Sequence, residues 1–440
     1  MRETAGTYQR ASALQWNLVA ALLRISRRNP VAVLLGVLRW YVPLLLLVLP
    51  GCAQSQQQLS APSIQLVESV PEETALDHPA ISNTLEVWIE MLRSARQSID
   101  IEQFYIANSR DGALEAVIRE VEAAAARGVS VRVITEKKFA SVYPETLERL
   151  GNDSRITLRT IDINAILGDG IQHAKFFIVD EFDVFVGSQN WDWRALAHIN
   201  ELGLRVRDSI SARAFVTLFD YDWALAGGAD PATAAATAGA MSDAFPLTIS
   251  DRNGVHEITP VFSPRLLLPD GARWDADALA ERIDRARDSV KLQVLSYGSY
   301  PLLEDALLRA AARGVHVSVL VSDWSLSSSK QKDLKRLQRT EGVTVKFTVI
   351  PEHSSGFISF ARVEHCKYLL VDEADAWIGT NNWSPEYFLA SRNAGFMLHS
   401  PSLCTVLLEK FAMSWDGPYA ATIDPEIKYT ARKRDDGGGK

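Results

Sequence analysis

Apolar and polar residues alternate along this chain in two rhythms, and both rhythms occur twice. "SARQSIDIEQFYI" (Ser94 to Ile106) closes a helical pattern and runs into a strand-like apolar stretch. "ALEAVIREVEAAAARGVSVRVIT" (Ala113 to Thr135) has the period of a long helix, a stop at Gly128 and a second buried strand. Helix followed by strand at this spacing predicts parallel α/β units. The second half repeats the pattern. "RARDSVKLQVLSY" (Arg285 to Tyr297) answers the first stretch, and "LEDALLRAAARGVHVSVLVSD" (Leu303 to Asp323) answers the second, down to a shared Arg-Gly-Val. A duplication of this length predicts two lobes rather than a solenoid of short repeats.

The repeat frames a stretch in which polar residues interrupt a strand. "HAKFFIVDEFDVFVGSQN" (His173 to Asn190) and "HCKYLLVDEADAWIGTNN" (His365 to Asn382) share the pattern His-x-Lys-x4-Asp-x6-Gly-(Ser/Thr)-x-Asn. Their offset is constant: 365 − 173 = 192 and 382 − 190 = 192. Alternation on a strand places His173 and Lys175 on one face, with Ala174, Phe176 and Ile178 on the other. Asp180 is expected to face away and tie down a turn. Gly187 lets the backbone come close, and Ser188 and Asn190 bring short polar groups back beside the histidine. Asp372, Gly379, Thr380 and Asn382 occupy the same places in the second copy.

Two such sets facing each other supply two imidazoles, two ammonium groups and two amides. Lys175, Lys367, Asn190 and Asn382 are suited to stabilise a tetrahedral phosphoryl group without a metal. One imidazole can attack phosphorus while the other protonates the leaving oxygen and then activates water.

Composition narrows the setting. The chain has 440 residues, 47% apolar and 23% charged, with a net charge of −8. These values suit a globular protein of two domains or two lobes, and any polyanion must be met by a local positive site. Three cysteines (Cys52, Cys366, Cys404) make neither a disulfide framework nor a zinc set, and the eight histidines lack a zinc-motif spacing, so no metal or other cofactor is expected. Cys366 alternates away from His365 and is expected to be a small buried residue. His198 and His353 are expected in loops. Trp191, Trp193, Trp383 and Tyr387 follow the motif asparagines and fit either the core or a base-stacking rim.

The first 62 residues read as a signal or anchor with a tether. Arg24, Arg27 and Arg28 precede an apolar run, Val31 to Pro50, broken only by Arg39 and Pro43. This charge asymmetry predicts export of the body of the chain. "LPGC" resembles a lipobox with Cys52 as the lipidated residue; a retained membrane anchor and a cleaved signal are the alternatives. The expected division is a first lobe over 63–223, a linker over 224–255, a second lobe over 256–426 and a disordered tail over 427–440.

The paired motifs resemble the phospholipase D superfamily, the HKD family. "IQLVESVPEET", "SARQSIDIEQFYI", "GSQNWDWRALAHINELG" and "GTNNWSPEYFLASRNAG" resemble one branch of it. That branch contains lysosomal single-stranded nucleic-acid 5′ exonucleases and poxvirus envelope-associated relatives. The likeness runs from about Ile64 to Gly417, although the cysteine pairs of the animal members are missing. It implies an α/β fold of two tandem lobes, each a mixed, mostly parallel sheet flanked by helices, related by a pseudo-twofold axis. It also implies a covalent phosphohistidine and an acidic residue behind the active-site histidine. Glu201 stands 28 positions after His173, whereas the matching place, 365 + 28, holds Asn393. The expectation is that Glu201 orients His173 as nucleophile, with His365 as acid and base. The branch favours 5′ exonuclease action on single-stranded DNA or RNA. A phospholipase D or transphosphatidylase acting on membrane lipid is the rival enzyme, and a catalytically silent envelope-binding protein the rival of another class. Both half-sites lie on one chain, so a homo-oligomer is not required.

Overall fold

In the computed structural model, residues 61–327 and 329–435 are described. The apolar run at 31–50 and Cys52 lie outside them. Among the described residues no helix is long and apolar enough to cross a membrane.

The first half supplies β1 (Ser63–Ser69), β2 (Ser82–Asn83), β3 (Ser98–Gln103), β4 (Ile106–Ala107), β5 (Ser130–Glu136), β6 (Ile156–Ile161), β7 (Phe176–Val179), β8 (Asp183–Gly187), β9 (Trp191–Asp192) and β10 (Ile199–Arg207). The second supplies β11 (Leu247–Asp251), β12 (Gly254–Ser263), β13 (Ser289–Val294), β14 (His316–Ser322), β15 (Val343–Thr348), β16 (Val363–Glu364), β17 (Tyr368–Val371), β18 (Asp375–Gly379), β19 (Asn393–His399) and β20 (Ala420–Thr422). The sheet orders are β2-β1-β10-β8-β7-β3-β5-β6 and β11-β12-β19-β18-β17-β13-β14-β15-β20. Seven strands correspond one to one, which is the duplication in three dimensions.

The α/β class and the two tandem sheets stand as expected. The sheets are mixed, but their parallel share is small: besides the short pairings β1-β2 and β10-β16, it is β3-β5-β6 in one and β13-β14-β15 in the other. The helix–strand repeat reports only these strands. The motif hairpins β7-β8 and β17-β18, and the strands that flank them, pair antiparallel.

Two expected boundaries need correction. The segment 224–255 is not all linker: it holds the end of the helix Ser209–Ala226, the helix Pro231–Ala238 and the edge strand β11. β11 reads "LTISD"; with one face open it carries too few apolar residues to signal a strand. Nor are residues 427–435 a loose tail. Tyr429 packs on Phe347 with ring centroids 5.3 Å apart. Arg432 donates to the carbonyls of Ile350 (2.6 Å) and Arg362 (2.7 Å) and pairs with Asp323 at 3.0 Å. A polar composition concealed these anchors because the bonds reach backbone carbonyls of a distant loop.

One apolar core joins the lobes. Phe215, on the long helix Ser209–Ala226 of the first lobe, meets Phe176 of that lobe and Phe262 and Phe396 of the second at 5.0–5.2 Å. Each such buried ring contributes roughly 1.5–3 kcal/mol, so neither lobe can leave the other without exposing core. Ion pairs reinforce the seam. Arg392, fully buried, forms a two-pronged pair with Asp222 of the same long helix at 2.7 and 2.8 Å. Lys410, on the second lobe's helix Pro401–Trp415, reaches back to Glu68 and donates to Asn200 at 3.1 Å.

Candidate active site

The two motif hairpins are built alike. Asp180 and Glu181 have φ of 54° and 50°, and Asp372 and Glu373 have 50° and 60°, the left-handed pair of a tight turn between the paired Val179 and Asp183 and between Val371 and Asp375. The Asp180 carboxylate accepts the backbone N–H groups of Arg96, Gln97 and Ser98 at 2.7–3.1 Å. Asp372 accepts those of Arg287, Asp288 and Ser289 at 2.8–3.0 Å. Each aspartate therefore ties down the turn into the neighbouring parallel strand and takes no part in the cavity. Gly187 faces Gly203, and Gly379 faces Gly395, in register across the next pair of strands. A Cβ on Gly187 would stand 2.6 Å from the Gly203 Cα, so the strands approach here only because both residues lack one.

The residues leading into each hairpin cross to the other lobe. β16 pairs in parallel with β10, with Ile199 opposite Val363 and Asn200 opposite Glu364. Likewise Gln172 forms a parallel bridge with Arg392. The His173 N–H donates to the Arg392 carbonyl, and the His365 N–H to the Asn200 carbonyl, both at 2.9 Å. One step further along each ladder, Glu201 falls beside His365 and Asn393 beside His173.

This overturns the expected partnership. The Glu201 carboxylate takes His365 Nδ1 at 2.7 Å, while His173 Nδ1 meets Asn393 Oδ1 at 3.0 Å. Counting 28 positions along one lobe finds the right residue but the wrong histidine, because the strands pair across the seam. The Asn393 amide nitrogen donates to the Tyr387 carbonyl at 2.7 Å, and its oxygen also accepts from the Thr380 hydroxyl at 2.9 Å. Asn393 is thereby fixed as an acceptor, His173 carries its proton on Nδ1, and Nε2 is left for the cavity. The carboxylate imposes the same tautomer on His365. Ser188 plays its part within the ladder, exchanging hydrogen bonds with the backbone of Leu202.

Behind the imidazoles, Lys175 Nζ donates to the His173 carbonyl at 2.5 Å and Lys367 Nζ to the His365 carbonyl at 2.8 Å. Both lysines are fully buried. His173, His365, Asn190 and Asn382 line one cavity of about 420 Å³, and its remaining wall is largely aromatic. Phe104 and Tyr387 flank the His173 ring at 5.1 and 4.8 Å. Among the described residues the buried Oδ1 atoms of Asn190 and Asn382 have no hydrogen-bond partner; it is the amide N–H groups, not these oxygens, that can meet a phosphoryl oxygen.

Charge in this pocket is finely held. Burial, then Lys175 and Lys367, push His173 well below the ordinary histidine value; burial, Lys367 and Lys175 do the same to His365. Burial, then the second lysine, lowers Lys175 well below the usual ammonium range, and burial brings Lys367 down to about 8. Burial raises Glu201 to about 8 against the pull of Lys367. The pocket's own groups thus shed positive charge, and an anion beside them favours their charged forms.

Several lining residues were not legible in the sequence. Arg194, in "WDWRALAH", is held by Asp192 at 2.6 Å and reaches the Tyr143 hydroxyl at 3.4 Å. Its place four positions after Asn190, where the second motif has Glu386, was the available signal. Phe139 comes from the short helix Lys137–Ala140, Trp324 from the 3-10 turn Asp323–Leu326 and Phe360 from a loop, all without motif context. Of the aromatic residues after the motifs, Trp191 and Trp383 are core, Trp193 is half-buried against His198, and Tyr387 is in the cavity wall. Cys366 and Cys404 are buried free thiols. Among the described residues, one group brings metal-ligand types together: Glu72, His198 and His353, with ligand atoms within 4.8 Å of one another. It lies outside the cavity lining, and His353 there serves Glu73 and Glu72 at 3.3 and 3.5 Å.

Two half-sites, each lining one cavity with a histidine and an asparagine and keeping its lysine buried outside that lining, define a two-lobed phosphodiesterase. The comparisons with known proteins agree. The family model "Cardiolipin synthase, PLD-like domain" matches residues 88–223 and again 279–415, and the chain belongs to the phospholipase D-like family. It is 31% identical to the 5′-3′ exonuclease PLD3 of Macaca fascicularis, over 82% of this chain and 80% of that one. It is 27% identical to phospholipase D Z of Dictyostelium discoideum, over 82% and 91%. Its fold is similar to that of the phosphatidylserine synthase of Haemophilus influenzae, with a TM-score of 0.61 at 13% identity over 84% and 91%.

Proposed function

We propose that this protein hydrolyses phosphodiesters through a covalent phosphohistidine on His365, without a metal, and that its substrate is single-stranded DNA or RNA cut from the 5′ end. One observation carries the assignment of roles: the imidazoles share a cavity, but His365 is backed by a carboxylate and His173 by an amide. The attacking imidazole stays positively charged for as long as the intermediate lives, whereas the acid gives up its charge as the intermediate forms. A carboxylate therefore belongs behind the nucleophile. An amide behind His173 leaves its imidazolium less stabilised and so a stronger acid.

In the first step, Nε2 of His365 forms the P–N bond. The P–O bond to the leaving group breaks, and that oxygen takes the proton from Nε2 of His173. In the second, His173 removes a proton from water, the water oxygen attacks phosphorus, and the P–N bond breaks. The amide N–H groups of Asn190 and Asn382 meet the non-bridging oxygens, and the buried ammonium groups of Lys175 and Lys367 offset their charge from outside the cavity lining. The single-strand reading is supported by the resemblance to the named 5′-3′ exonucleases and by the aromatic cavity wall, which offers flat faces for bases. The apolar run at 31–50 supports a body exported and held at a membrane, with Cys52 as the lipid attachment site.

Cleavage of a 5′-labelled single-stranded oligonucleotide tests the reading, with phosphatidylglycerol vesicles as the second arm. Activity is expected to survive EDTA and to fall at least about 10³-fold in His173→Ala and His365→Ala. Rapid acid quench and mass spectrometry should place phosphate on His365. Loss of activity in EDTA, or phosphate on His173, would overturn the corresponding part, and turnover of vesicles alone would assign the enzyme to lipid.

A further inference from the structure

The C-terminal segment brings positive charge to the mouth of the cavity. The Arg434 carbonyl accepts the Phe360 N–H at 2.7 Å. Its guanidinium donates to the Trp324 carbonyl at 2.7 Å and lies 4.9 Å from the Trp324 ring. Trp324 and Phe360 both line the cavity that holds His173 and His365, and Phe360 is 39% exposed. Across Trp324, Lys330 donates to the Ser296 hydroxyl at 3.1 Å, next to the cavity-lining Leu295.

These two cations differ from their neighbours. Arg432 is matched by Asp323 at 3.0 Å and Arg194 by Asp192 at 2.6 Å. Among the described residues no carboxylate stands within 4.0 Å of Arg434 or Lys330. Burial lowers Lys330, with Glu386 opposing that shift and Arg434 adding to it, and Arg434 also acts on Asp323. Two cations without a direct ion pair, Arg434 against the Trp324 ring and Lys330 on Ser296, at the rim of a phosphodiester site beside the exposed Phe360, form a place for a second anion and a flat group attached to it.

We propose that Arg434 and Lys330 bind the phosphate following the scissile one in a single strand, with the intervening base against Phe360. The proposal rests on the single-strand reading above and names the chain segment that extends the site beyond one phosphodiester. On a substrate with a single phosphodiester this site has nothing to hold.

Arg434→Ala, Arg434→Gln and Lys330→Ala, made in the full chain, test it with a 12-nucleotide strand and with bis(p-nitrophenyl) phosphate. For the strand, KM should rise about 5-fold, with the salt dependence of log KM shallower by about 0.7 for each cation removed. Both kinetic parameters for the small diester should stay at wild-type values, which also shows that the variants are folded. An unchanged KM for the strand, or equal losses on both substrates, would overturn the proposal while leaving the single-strand reading in place. So would an effect confined to phosphatidylglycerol vesicles. Wild-type enzyme that hydrolyses the small diester but leaves the strand uncut would overturn the single-strand reading, and this site with it.

Discussion

At the scale of single residues, the asymmetry between Glu201 and Asn393 distinguishes two otherwise matching half-sites. Glu201→Gln keeps an oxygen near His365 Nδ1 but removes the charge that balances the imidazolium. The kcat is expected to fall about 10²- to 10⁴-fold with KM little changed, and single-turnover quench should show less phosphoenzyme. Asn393→Asp in that background restores a carboxylate, but behind the other ring; phosphate should then appear on His173. The ionisation of the pocket makes a second prediction. His173, His365 and Lys175 are all lowered by burial and by the nearby lysines. A bound oxyanion favours their charged forms, so binding takes up protons and weakens as pH rises, most steeply above the Lys367 value of about 8. Tungstate titrated calorimetrically in two buffers of different ionisation enthalpy should show net proton uptake at pH 7.5. A buffer-independent heat would contradict this.

At the scale of elements, the two motif hairpins are held by acceptors that the chemistry does not use. Asp180 and Asp372 each satisfy three backbone N–H groups at the entry to a central strand. Asp180→Ala leaves these donors without their carboxylate and is expected to cost about 1–3 kcal/mol of stability. The kcat should stay near wild type at temperatures where the variant remains folded, read from denaturant melts alongside kinetics. Asp180→Asn keeps an acceptor and should recover part of the loss. The residues of these hairpins could be sorted from the sequence because a strand has period two, and a polar residue in an apolar run must satisfy itself nearby. The crossing segments could not. The stretches of two or three residues that pair Gln172 with Arg392 and Val363 with Ile199 are too short to carry a period.

At the scale of the whole molecule, the seam between the lobes is the active site. The chain segments that bring His173 and His365 into one cavity are the same ones that pair across the lobes, and the Arg392–Asp222 pair lies directly behind them. Arg392→Met removes one member of that pair and leaves Asp222 buried beside Glu102, which already feels its charge. A loss of about 3–5 kcal/mol is expected, together with a fall in kcat, because the guanidinium bonds to Asp222, Ser263 and Leu267 anchor the backbone whose carbonyl receives the His173 N–H. Calorimetry should still show one transition, since Phe215 ties both sheets into one core. Two separate transitions would contradict a shared core.

The sequence by itself determined the duplication, the turn-holding role of the aspartates and the place of His173, His365, Asn190 and Asn382 in one cavity. All of these follow from local periodicity and a constant offset of 192 residues. Tertiary structure alone decided which histidine Glu201 serves, that β11 lies within the expected linker, and that the segment from Tyr429 to Arg434 is docked. The physical reason is common to all three. Each depends on which backbone edge or carbonyl a segment meets far away in the chain, and a side-chain pattern records the face a residue presents but not the strand it pairs with.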